Sequence, residues 1–134
     1  MTVTAFSALS MLCGLSQREA AAFLGVSPSA VDKMGRGVRS TPPGVMAELR
    51  GLHRQQRRAA TAIIRQWSEA VRLHGAPDRL ELALSSNDAE AQSKGWPCVG
   101  AERATYALAL ARIDAPAVIV PRGSTVATAW MPFA

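Results

Sequence analysis

Through the first 75 residues apolar side chains return every three or four positions, the spacing of a buried helical stripe. Beyond that point two short stretches alternate apolar and polar instead. Ala5, Phe6, Leu9 and Leu12 make one face of a helix over Thr4 to Cys13, with Ser7 and Ser10 off it. Ala20, Ala21, Phe23 and Leu24 form the apolar face of a second helix, and Val31 and Met34 that of a third. Val45, Leu49, Leu52, Gln56, Ala59, Ile63, Trp67 and Ala70 then keep a three-then-four spacing to His74, which predicts a rod of roughly 50 Å. Gly51 weakens its interior, so one kinked helix and two shorter ones both stand as readings. In the second half Arg79 to Leu84 and Ala117 to Val120 read as strands, with Leu80, Leu82 and Leu84 facing one way. Asn87 to Ser93 reads as a short helix capped by Ser86 or Asn87. Ala101 to Ile113 reads as an amphipathic helix with Tyr106, Leu110 and Ile113 buried. Val126 to Trp130 is either a third strand or a loose tail.

The boundary residues sharpen the first half. Ser16 followed by Glu19 spells a capping box, Gly25 ends the second helix, and Ser27 with Pro28 restarts the chain as N-cap and first-turn proline. The joint needs a small residue where the helices touch, positive φ at the turn and an apolar plug beneath it. Ala21, Gly25 and Val26 meet those needs. Two short helices so joined have the layout of a helix-turn-helix DNA reader. Thr41 with Pro42 and Pro43 begins the long helix, and Gly75 with Pro77 stops it.

Charge adds a direction. Up to Gly75 there are ten Lys/Arg against four Asp/Glu, and from Ala76 onward five against six, so halves of +6 and −1 make up the net +5. A basic first half attracts phosphate without regard to sequence. The run Arg54-Gln55-Gln56-Arg57-Arg58 is either a phosphate-contacting patch or a solvated helix face whose Arg stems cover apolar neighbours.

The remaining composition narrows the class. A chain of 134 residues, 49% hydrophobic, has room for a packed core in a single domain or in two small units. Neither a membrane-spanning run nor a secretory signal is visible, which suggests a cytoplasmic protein. Cys13 and Cys98 lack partners at metal-ligand spacing and suit reduced, buried thiols. No cofactor or metal is expected. Neither is an enzyme: His53 and His74 stand far apart without a neighbouring carboxylate, Asp88 and Glu90 suit a solvated face, and phosphate-binding glycine loops are missing. Trp67, Trp96 and Trp130 suit core or interface anchors rather than base-stacking platforms.

On Gly14-Leu15-Ser16-Gln17, Gly25-Val26-Ser27 and Arg36-Gly37 with Arg39, the stretch from Gly14 to Pro43 resembles the Cro/repressor class of helix-turn-helix domains. Met34 departs from that class where Trp or Leu is common, and Gly35 where Glu is usual, which loosens the last turn of the third helix. The resemblance implies that Pro28, Ser29 and Lys33 face base edges: Ser29 as a versatile hydrogen-bonding partner, Lys33 toward guanine acceptors, Pro28 against a thymine methyl. Asp32 stands at the rim. Gln17, Ser27, Arg36 and Arg39 are expected to hold phosphates and set register.

The whole-chain plan is also similar to the anti-CRISPR-associated transcriptional repressors: a helix-turn-helix, a long helix with a Gln/Arg-rich stretch, then a small mixed unit. That similarity implies a dimeric autorepressor of a phage or mobile-element operon, and some such proteins also bind RNA. The expected fold is therefore mainly α. It comprises an N-terminal helix-turn-helix bundle with a long connecting helix (1–75) and a small C-terminal α+β dimerisation unit (76–134). Apolar strands in so small a unit need a mate, and Leu80, Leu82, Leu84, Tyr106 and Leu110 are the expected homodimer interface. Double-stranded DNA carrying an inverted repeat is the expected partner. An antitoxin-like protein-interaction module and an RNA-binding regulator are the rival readings.

Overall fold

The computed structural model describes residues 2–122. The chain is mainly helical: α1 (Ala5–Leu12), α2 (Gln17–Leu24), α3 (Pro28–Arg36), α4 (Pro43–His74), β1 (Leu80–Leu84), α5 (Asp88–Ser93), α6 (Val99–Leu110) and β2 (Ala117–Pro121). The segment Val126 to Trp130, read as either a third strand or a loose tail, lies outside the described residues.

Side-chain caps set the starts of the short helices. Thr4 accepts from the Ser7 amide, Ser27 from Ala30 and Asn87 from Glu90. Ser16 and Glu19 complete the capping box reciprocally, with Oγ accepting from Glu19 N at 3.2 Å and Glu19 Oε1 from Ser16 N at 2.9 Å. The long helix starts differently from expectation. Pro42 is its N-cap and no side chain caps it, because Thr41 falls one residue too early. It then runs 32 residues without a break, roughly 48 Å, straight through Gly51. Burial explains the continuity: Leu49, Leu52, Gln56, Ala60, Ile63 and Trp67 form one buried line across the glycine.

That line serves two cores. The first gathers Phe6, Leu15, Ala20, Ala21, Val31, Met34, Leu49 and Leu52, and it also takes in Cys98 and Ala101 from the far end of the chain. The second joins Ala60, Ile63 and Trp67 to Leu80, Leu82, Tyr106, Ala109 and Ile113. Each core thus draws residues from both sides of position 75, and α4 is the spine of both. Gln56, wholly buried between them, donates from Nε2 to the carbonyls of Cys13 (2.9 Å) and Ala101 (3.1 Å). One amide thereby ties the ends of α1 and α6 to α4.

The strands find their mate inside the chain. β1 and β2 pair in parallel, with Leu80 opposite Ala117 and Leu84 opposite Pro121, and α5 and α6 form the crossover. β1 is covered on both faces: Glu81 and Ala83 are as buried as Leu80 and Leu82, and Glu81 meets Arg79 at 2.8 Å. α6 starts two residues before the expected Ala101 because Asp88 Oδ1 accepts from the Val99 amide. Cys13 and Cys98 are free and buried.

Candidate nucleic-acid interface

α2 and α3 meet through a turn in which Gly25 adopts φ 67°, ψ 33°, a left-handed conformation that closes α2 and redirects the chain. Ala21 is buried at the contact and Val26 packs on the first core. On α3, Ala30, Val31 and Met34 point inward. The opposite side carries Ser27, Pro28, Ser29, Lys33 and Arg36, all exposed, with Asp32 half-buried beside them. The sequence pattern thus separates a core face from a polar, cationic face on a nine-residue helix.

Hydrogen bonds hold that face in position. Gln17 Nε2 donates to the Pro28 carbonyl at 3.3 Å, linking the first turn of α2 to the first turn of α3. At the other end Lys33 O accepts from the amides of Val38 (2.9 Å) and Arg39 (3.2 Å), so the loop that presents Arg39 is tied to the turn that presents Lys33. Sequence reasoning missed Thr4. Its hydroxyl caps α1 and also donates to Gly35 O at 2.9 Å, so the last turn of α3 is braced from α1 in spite of its glycine. A hydroxyl just before an apolar stripe signals the cap. Nothing in the sequence signals a bond across 31 positions.

The expected phosphate contacts differ in what they already do. Ser27 Oγ accepts its cap bond and keeps a hydroxyl proton to donate, and Gln17 spends one N–H on Pro28. Arg36 lies 2.8 Å from Asp32 one helical turn back, and the charged ends of both reach solvent. Such a surface pair is worth at most about 1 kcal/mol and yields easily to a phosphate. Arg39 is exposed.

The Arg54–Arg58 run divides. Gln56 is core, and Gln55 Nε2 donates to Gly95 O at 3.0 Å. Arg54, Arg57 and Arg58 are exposed and line, with Thr61, Ala62 and Arg65, a depression of about 450 Å³. Together with Arg50 these arginines occupy an arc of about 100° along some 22 Å of α4, at 3.6 residues per turn. Like charges three and four apart disfavour a helix by about 0.2–0.5 kcal/mol per pair, a cost an external anion removes.

Leu80, Leu82 and Tyr106, expected at a subunit interface, are instead packed inside the second core, with Tyr106 Oη donating to Ala83 O at 2.7 Å. They have no face left for a second chain. Leu84 and Leu110 are only partly buried. Trp67 and Trp96 also pack on the two cores. Among the described residues no three His, Cys, Asp or Glu side chains gather at metal-binding distance, and no helix is long and apolar enough to cross a membrane.

No family model matches the chain, and neither does any curated protein.

Proposed function

We propose that this protein is a sequence-specific, homodimeric DNA-binding repressor of the helix-turn-helix type, in which α3 enters the major groove. The observation that carries the reading is the exposed face of α3. Ser29 and Lys33 stand clear of the core on a helix whose two ends are fixed by Gln17, Thr4 and the loop to Arg39. Short helices presented rigidly at one edge suit base readout, because a hydrogen bond to a base edge discriminates only if its donor is held in register.

Lys33 donates to guanine acceptors, Ser29 bonds either edge, and Pro28 contacts a thymine methyl. Gln17, Ser27, Arg36 and Arg39 hold phosphates on both sides of α3. The arginine arc of α4 adds attraction that does not depend on sequence. Dimerisation draws on the partly exposed Leu84 and Leu110. The resemblance of Gly14 to Pro43 to Cro/repressor-class domains, and of the overall plan to anti-CRISPR-associated repressors, supports control of the protein's own operon.

Footprinting of DNA upstream of the gene tests this. The reading expects protection of two inverted half-sites about one helical turn apart, centre to centre, or a small multiple of it. Absent or uniform protection overturns it.

A further inference from the structure

A depression of about 460 Å³ lies in the seam between α4 and the end of α6. His53, Arg57, Ala60 and Thr61 line it from α4, where their spacing of three and four puts them on one face, and Leu108 and Arg112 line it from the other side. Cationic groups therefore reach it from two separate elements.

Those groups are open to a ligand. Arg57 and Arg112 are exposed, and neither meets a carboxylate within ion-pair distance among the described residues. Arg112 Nη1 donates to Thr61 Oγ1 at 3.4 Å, a long bond across the seam that leaves the Thr61 hydroxyl its own proton to donate. The His53 ring has Nδ1 shut in without a partner, so Nε2 is the nitrogen that solvent reaches. In the neutral ring a proton on Nδ1 would be a buried donor with no acceptor, which places it on Nε2 as a further outward donor. Beneath them Ala60 is buried and Leu108 half-buried, so the base of the depression is apolar.

The donor set selects the ligand. Two guanidinium forks, a hydroxyl and an imidazole N–H offer hydrogens from more directions than the two coplanar oxygens of a carboxylate can use, whereas a tetrahedral phosphate accepts on every side. We propose that this depression binds a phosphate group, held between Arg57 and Arg112, with Thr61 and His53 as the further donors. The negative end of α6 opposes an anion only weakly, because the amides of Ala111, Arg112 and Ile113 take up the carbonyls of Ala107, Ala109 and Leu110. Arg112 separates the site from the arginine arc of α4, with which it shares Arg57 and Thr61.

An NMR titration of the full chain without DNA tests the site, at constant ionic strength so that screening is equal throughout. It follows the Nε–H signals of Arg57 and Arg112. Inorganic phosphate is expected to move both saturably and to bind about tenfold more tightly than acetate. Arg112→Gln is expected to weaken phosphate about tenfold, and Arg54→Gln, on the arc but outside the depression, by less than about twofold. Equal affinity for phosphate and acetate overturns the proposal, as does an equal loss in the two variants, which would spread the anion over the whole arc. The comparison of the two anions on the unmodified chain decides the matter even if Arg112→Gln does not fold. Glycerol phosphate and a short DNA duplex, titrated in parallel, separate the two sources of the group. If it belongs to a nucleic-acid backbone, Arg112→Gln weakens the duplex as it weakens phosphate. If it belongs to a small ester, glycerol phosphate binds more tightly than inorganic phosphate and Arg112→Gln leaves duplex affinity unchanged. The site does not rest on the repressor reading: an unmodified chain that binds phosphate here but no duplex would overturn that reading and leave the site standing.

Discussion

The backbones of Gly14 and Gly100 meet with no room for a side chain between them. A Cβ on Gly14 would lie 2.1 Å from the Gly100 carbonyl oxygen, and one on Gly100 would lie 2.3 Å from the Gly14 carbonyl oxygen. Gly14 belongs to the link between α1 and α2, and Gly100 to the first turn of α6. Their contact lets α6 pack on the unit that presents α3, with Cys98 and Ala101 completing its core.

Gly100→Ala is therefore expected to destabilise the chain by about 3 kcal/mol, since backbone on both sides must give way. Gly51→Ala is expected to do the reverse. The added methyl lies 3.7 Å from the nearest atom, the flexible end of Arg54, and alanine favours a helix interior by up to about 1 kcal/mol. Urea unfolding measures both. An unchanged midpoint for Gly100→Ala contradicts the close approach.

Gln55 and Gln56 are neighbours in sequence and opposites in role. Gln56→Leu leaves the Cys13 carbonyl without its side-chain donor and takes one of two side-chain donors from the Ala101 carbonyl, which keeps the Thr105 hydroxyl at 2.9 Å. It is expected to cost about 2 kcal/mol. Gln55→Leu, at an exposed position, is expected to change stability by no more than about 0.5 kcal/mol. Equal effects in thermal or urea unfolding would show that the run is a surface patch throughout.

Alkaline pH should loosen the fold. Burial pushes the Cys13 thiol from its ordinary 9.0 up to about 11, and burial likewise raises Cys98 and, more strongly, Tyr106. A proton kept by the folded chain after the unfolded chain has released it stabilises the fold fully below the unfolded value. That stability is lost as pH rises through the folded one. The thermal midpoint is expected to fall between about pH 9 and 11, and Cys13→Ala to flatten some of the fall. A Cys13→Ala profile parallel to that of the parent chain throughout contradicts this.

Lys33 and Arg39 separate the two kinds of contact. Lys33→Ala is expected to weaken binding to the preferred sequence by about 1–3 kcal/mol and leave other DNA nearly unaffected. Arg39→Ala is expected to weaken binding to every sequence and lower the slope of log affinity against log salt by about one. Arg57→Ala with Arg58→Ala is expected to act like Arg39→Ala, with specificity intact. Anisotropy titrations at several salt concentrations distinguish them.

The N-terminal half was legible because its signals are local. Ser16 with Glu19, Gly25, and Ser27 with Pro28 act within one turn of themselves, and the caps and the left-handed turn stand where those residues indicated. The continuity of α4 through Gly51 was left open by the sequence, since it depends on which distant residues cover Leu49, Leu52 and Gln56. The C-terminal half misled for a related reason. Alternation at Leu80, Leu82 and Leu84 shows that a strand needs cover, but not whose. The parallel pairing with Ala117–Pro121 places the mate in the same chain, so Leu80, Leu82 and Tyr106 are core. Thr4 at Gly35 and Gly14 at Gly100 are long-range meetings of small groups that leave no periodic trace.

Selection from random duplex DNA with the full chain tests the central claim most directly, because it assumes neither an operator nor a partner. The account predicts enrichment of an inverted repeat whose half-site centres lie about one helical turn or a small multiple apart, and loss of that enrichment in Lys33→Ala. Recovery of unselected sequences, or of a single asymmetric half-site, would leave a basic surface on α3 and α4 and contradict the specific dimeric repressor.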